Sequence, residues 1–74
     1  MEYAAVKSAI EAIGRLFAGD PDGKGRGSAA MITLAAHYAV MHDRRKPGSG
    51  AAAREKLTRF IYKIGWGFPE EKEK

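Results

Sequence analysis

The sequence predicts an all-α fold, a small three-helix bundle expected to be oligomeric or docked on a partner. Three observations predict it. Two segments repeat apolar residues at the period of an amphipathic helix, a third between them is apolar on nearly every side, and Gly- and Pro-rich stretches separate all three. A chain of 74 residues makes one domain, and a core of that size rarely supplies more than ~3 to 5 kcal/mol without a staple. There is no cysteine, so disulfides and Cys-based zinc sites are excluded. Association is then the expected source of further stability. The domain is expected to cover residues 1–69, followed by a disordered charged tail at 70–74.

The first helix is expected at about 2–18. Val6, Ile10, Ile13 and Phe17 recur at helical spacing, with Ala9 and Leu16 on the shoulder. Lys7, Glu11 and Arg15 follow one another at i, i+4 on the opposite, solvated side. Gly14 either weakens this helix or lets a neighbour come close.

From Gly19 to Gly27 the chain reads Gly-Asp-Pro-Asp-Gly-Lys-Gly-Arg-Gly, the composition of a flexible loop. Ser28 is the N-cap candidate for a second helix at about 28–43. In it Met31, Leu34, Tyr38 and Met41 form one apolar stripe, and Ile32, Ala36, Ala39 and Val40 form another. Thr33 and His37 share the wedge that is left. The segment is shorter than the ~20 residues of a membrane span, so its neighbours must wrap it as the central helix. Arg44, Arg45 and Lys46 suit the exposed carbonyls of a helix C-terminus. Pro47 and Gly48 then stop the helix.

The third helix is expected at about 50–64, opened by Ser49 or Gly50. Ala53, Leu57, Phe60, Ile61 and Ile64 face one way, while Lys56, Arg59 and Lys63 line a flank. Gly65 is a natural C-terminal stop. Trp66 and Phe68 are too apolar for water, so at least one is expected to fold back on the bundle or into a partner.

Catalytic and metal chemistry find little purchase. His37 and His42, five apart, point roughly 140° from each other around a helix and do not share a metal well. His37 and Met41 stand at i, i+4 without a second ligand set for haem or copper. The Gly-rich loop lacks the spacing of a Walker phosphate loop and has Lys24 and Met31 where an EF-hand needs oxygen ligands. Serines 8, 28 and 49 read as a solvated position and two caps. No nucleophile meets a base, and no carboxylates pair on rigid elements. The chain is expected to be no enzyme, with no cofactor and no metal; its motifs carry no family resemblance.

Charge carries the functional signal. The formal net charge is +4 and the pI is near 9.6, which favours anionic partners. With the loop at one end of an up-down-up bundle and the Arg44 run at the other, Lys24, Arg26, Arg44, Arg45, Lys46, Lys56, Arg59 and Lys63 join into a stripe roughly 20 Å long. Such a stripe suits the phosphate backbone of RNA or DNA, with little sequence preference. Tyr62 beside Lys63 offers a ring to a base. The predicted function is a small non-enzymatic basic subunit in an oligomer or nucleoprotein complex, contacting phosphates.

The alternative is a protein-protein adaptor that uses Ala36 and Ala39, which allow close approach, and Trp66 and Phe68 as anchors. A helix-turn-helix regulator fits less well, because the connection between the second and third helices exceeds the ~3 to 4 residues of that motif's turn. Without a basic leader or a span-length apolar run, a cytoplasmic setting is expected, with no membrane role. Asparagine and glutamine are absent as well as cysteine, a depletion shared with hyperthermophile proteins or produced by a bias toward Ala, Gly and Arg.

Overall fold

The computed structural model describes residues 2–67, which form three helices: α1 (Tyr3–Phe17), α2 (Gly23–Arg45) and α3 (Gly50–Lys63). No strand occurs among the described residues. Phe68 and the tail at 70–74 lie outside them. α1 and α3 each pack on α2 and scarcely on one another, so the longest helix is the central one. Among the described residues, no helix is long and apolar enough to cross a membrane.

The core joins Val6 and Ile10 of α1, Met31, Ala35 and Tyr38 of α2, and Ala53, Leu57 and Ile61 of α3. α1 buries Val6 and Ile10 and half-buries Ile13 and Phe17, while α3 buries Ala53, Leu57 and Ile61 and half-buries Phe60. Ile64, predicted on the same face, is 37% exposed just past the end of α3, and Leu16 on the shoulder of α1 is 75% exposed. α2 divides differently from either predicted stripe. Its buried line runs through Gly27, Ser28, Met31, Ala35, Tyr38 and Ala39, while Val40 stays 53% exposed. Two thin neighbours leave the far side of a central helix open to water.

The largest correction concerns 19–27. α2 begins at Gly23 rather than Ser28, and only a short turn separates it from α1. Asp20 builds that turn. Its Oδ1 accepts the Asp22 N–H at 3.0 Å, its carbonyl accepts the Gly23 N–H at 2.9 Å, and its Oδ2 meets the Arg26 guanidinium at 2.9 Å. Three glycines each cost a helix up to about 1 kcal/mol relative to alanine, but two have steric reasons to be there. A Cβ on Gly23 would lie 2.8 Å from the Phe17 carbonyl oxygen, and one on Gly27 would lie 2.5 Å from the Trp66 ring.

Trp66 reaches Gly27 because of the way α3 ends. Gly65 has φ +95°, the Trp66 N–H donates to the Ile61 carbonyl and the Gly65 N–H to that of Tyr62, both at 3.0 Å. These are the paired bonds of a Schellman stop. The chain turns back, laying the indole against Gly14 of α1 and Gly27 of α2; a Cβ on Gly14 would sit 3.2 Å from the indole nitrogen. Ser28 then fastens the end. This buried hydroxyl accepts the Gly67 N–H at 2.9 Å and donates to the Gly67 carbonyl at 3.2 Å. Ser28 is a clamp inside the bundle, not the predicted cap. Gly67 has φ +110° and its Cα faces the Tyr62 ring, so a side chain there would meet both strain and overlap.

Candidate nucleic-acid interface

The eight cations predicted to form a stripe fall into three groups. At the N-terminal end of α2, Lys24 is already engaged: its ammonium donates to the Gly65 carbonyl and stands 5.1 Å from the Trp66 ring centroid. Arg26 is paired with Asp20. Both sit at the three-way junction of α1, α2 and the returning chain. Both cations of the Gly-rich segment thus have partners within the fold, the Arg26–Asp20 pair being exposed.

On α3, successive residues advance about 100° around the axis. Lys56 and Lys63 therefore share one flank, and Arg59 turns further outward, where it pairs with Glu55 at 2.8 Å in an i, i+4 bridge. The Lys56 ammonium lies 4.7 Å from the Tyr3 ring centroid, and that of Lys7 lies 5.5 Å from the same ring. An exposed i, i+4 pair contributes only about 0.3 to 0.5 kcal/mol, so Arg59 can exchange its partner at little cost.

Arg44, Arg45 and Lys46 occupy the far end of α2, exposed and without an ion pair among the described residues. The turn after them is built tightly. Ser49 N–H donates to the Lys46 carbonyl at 3.1 Å across Pro47 and Gly48, and Gly48 has φ +90°, the geometry of a type II turn. Asp43 caps the next helix: its Oδ1 accepts the N–H groups of Gly48 and Gly50 at 3.0 and 3.1 Å. Ser49, predicted as the cap, makes no capping bond.

A groove of about 400 Å³ runs beside this turn, between α2 and α3. Ala36, Ala39, Val40 and Ala51 floor it, and Arg44 and Arg54 stand on its two sides. Arg54 was not part of the predicted stripe, because it sits on the opposite flank of α3 from Lys56. Its signal is the register of Gly50: a Cβ there would come within 2.8 Å of the Ala39 carbonyl oxygen, so the helices touch closely and bring Arg54 across from Arg44. The same contact buries Ala39 inside the chain. Of the predicted partner-binding residues, Ala36 is half-buried in the groove, Ala39 and Trp66 are used by the fold itself, and Phe68 lies outside the described residues.

On the other side of the α2–α3 seam, Tyr38, His42 and Ser49 come together. The His42 Nδ1 and Ser49 Oγ are 2.6 Å apart, and Ser49 Oγ also lies 2.6 Å from the Lys46 carbonyl oxygen. A hydroxyl has one proton. Given to that carbonyl, it leaves Nδ1–H as donor to Ser49 and Nε2 as an open acceptor. His37, by contrast, is exposed. The signal for this cluster was the i, i+4 spacing of Tyr38 and His42, with Ser49 just past a Pro-Gly turn.

No family model matches the chain, and no curated protein or solved structure does.

Proposed function

We propose that the protein is a small non-enzymatic basic subunit that contacts nucleic-acid phosphates without sequence specificity, acting in the cytoplasm within an oligomer or nucleoprotein assembly. The contact is centred on the turn between α2 and α3. One observation carries this reading: Arg44, Arg45, Lys46 and Arg54 gather at that end without ion-pair partners among the described residues. Asp43, the carboxylate among them, is turned onto two backbone N–H groups. Small side chains on the groove floor let a phosphodiester approach between the two arginines. Lys56 and Lys63 extend the cationic surface along α3.

Fluorescence anisotropy of labelled RNA and DNA across a salt titration tests the reading. Affinity that falls log-linearly with salt, with a similar slope for unrelated sequences, is expected. No binding at low salt would overturn it.

The exposed Val40 beside Ala36 supports a second reading, a protein-protein adaptor whose partner helix lies in the same groove. In that case partner binding survives neutralisation of Arg44 and Arg45 but is lost when Ala36 is replaced by a bulky charged residue.

A further inference from the structure

Beside the cationic turn, on the α1 side of the α2–α3 seam, lies a cavity of about 250 Å³ lined by Tyr3, Tyr38, His42, Ser49, Ala52 and Lys56. Its size falls below the ~300 Å³ at which pockets for drug-sized ligands begin, which leaves room for a single ring system. Tyr38 is only 6% exposed, and its hydroxyl has no hydrogen-bond partner among the described residues. No enclosed side-chain nitrogen or oxygen there lacks a partner. The hydroxyl is therefore not sealed in the core, and Tyr38 lines this cavity.

The walls have the chemistry of a base site. Tyr3 and Tyr38 rings stand 6.2 Å apart and tilted, and the Tyr38 and His42 rings meet edge to face at 5.6 Å, so the lining is aromatic and suits contact with a heteroaromatic ring. When the Ser49 hydroxyl donates to the Lys46 carbonyl, the imidazole donates through Nδ1–H to Ser49 and Nε2 is an acceptor; the Tyr38 hydroxyl both donates and accepts. A nucleobase edge carries donors and acceptors in alternation. Lys56 also lines the cavity, with its ammonium over the Tyr3 ring, and supplies a cation for the phosphate of a nucleotide. A duplex keeps its bases stacked and paired, so only an unpaired base enters.

We propose that this cavity seats one unstacked base of a single-stranded nucleic acid, with Lys56 on its phosphate, while the strand continues over the turn at 46–49 to Arg44 and Arg54. The proposal rests on the phosphate-binding reading of that turn and gives it a preference for single strands.

Ala52→Leu is the diagnostic variant. Ala52 is exposed on the first turn of α3 and lines the cavity, so leucine fills the site without entering the core. Two measurements are made on the full chain. In an NMR titration with adenosine and uridine 5′-monophosphates, the Tyr38 and His42 ring resonances are expected to shift in the parent and to stay still in A52L. In anisotropy, A52L is expected to bind single-stranded RNA or DNA about five- to tenfold more weakly, the worth of one stacked base, with duplex affinity unchanged. Tyr38→Phe, which removes only the hydroxyl, is expected to lose about threefold for single strands, the worth of one hydrogen bond.

Still ring resonances in the parent, or equal single-strand affinity for parent and A52L, would overturn the base site while leaving the phosphate reading in place. Failure of both oligonucleotide forms to bind overturns the phosphate reading instead, and the monophosphate titration then decides the cavity by itself.

Discussion

The two ends of α2 are both cationic, yet only at one do the cations lack partners among the described residues. At the N-terminal end Lys24 and Arg26 follow glycines and sit in the first turns, where the helix dipole disfavours positive charge. The fold compensates by giving each a local acceptor: the Gly65 carbonyl and Trp66 ring for Lys24, and Asp20 for Arg26. At the C-terminal end the dipole favours Arg44, Arg45 and Lys46, and no partner among the described residues holds them. The first end is a joint and the second a surface. A charge near a helix terminus is informative about binding only once its local partners are known.

The joint is where substitutions should cost most. Trp66→Ala removes the ring packed on Gly14 and Gly27 and is expected to destabilise the fold by about 2 to 3 kcal/mol, below the range for a fully buried tryptophan because this one is half-buried. Urea denaturation followed by far-UV circular dichroism measures it; a change under about 0.5 kcal/mol would mean the indole does not join the three segments. At the other end, Asp43→Ala deprives Gly48 and Gly50 of their shared acceptor. A loss of about 1 to 2 kcal/mol is expected, the scale of a helix cap, and Asp43→Asn should recover most of it.

Gly25 sharpens the comparison from the opposite direction. Unlike Gly23 and Gly27 it has nothing within reach of a Cβ, so Gly25→Ala should stabilise the protein by about 0.5 to 1 kcal/mol. The same change at Gly27 should destabilise it, since the Trp66 ring occupies that space. Thermal unfolding of the two variants reads the signs, and stabilisation by both would contradict the packing described for the joint.

Much of the architecture was legible because helical periodicity is a local property. Val6, Ile10 and Ile13, and Leu57 and Ile61, announce faces that need cover wherever they end up, and Gly65 announces a stop. The start of α2 was not legible. Gly-Lys-Gly-Arg-Gly is a loop by propensity, and what its helix packs against, the Trp66 ring over Gly27, comes some forty residues later in the chain. Ser28 misled for the same reason: its position before an apolar run suits a cap, and only the returning chain puts Gly67 against its hydroxyl.

The site divides in the same way. Arg44, Arg45 and Lys46 are visible as a run that no neighbouring carboxylate answers except Asp43. Arg54 and the group of Tyr38, His42 and Ser49 depend on the angle at which α3 crosses α2 through Gly50. That contact is not written in the spacing of either helix.

The most direct test matches charge for charge. Lys24→Ala/Arg26→Ala and Arg44→Ala/Arg45→Ala each lower the net charge by the same two units, so any difference between them is one of place. With folding checked by circular dichroism, the salt dependence of single-stranded RNA binding is measured by anisotropy for both variants and the parent. The pair at the turn is expected to flatten the slope of log affinity against log salt by about 1.4, the value for two phosphate contacts on a single strand. The pair at the joint is expected to leave the slope almost unchanged. Equal flattening by the two variants, or a larger effect from Lys24 and Arg26, would contradict the assignment of binding to one end of the helix.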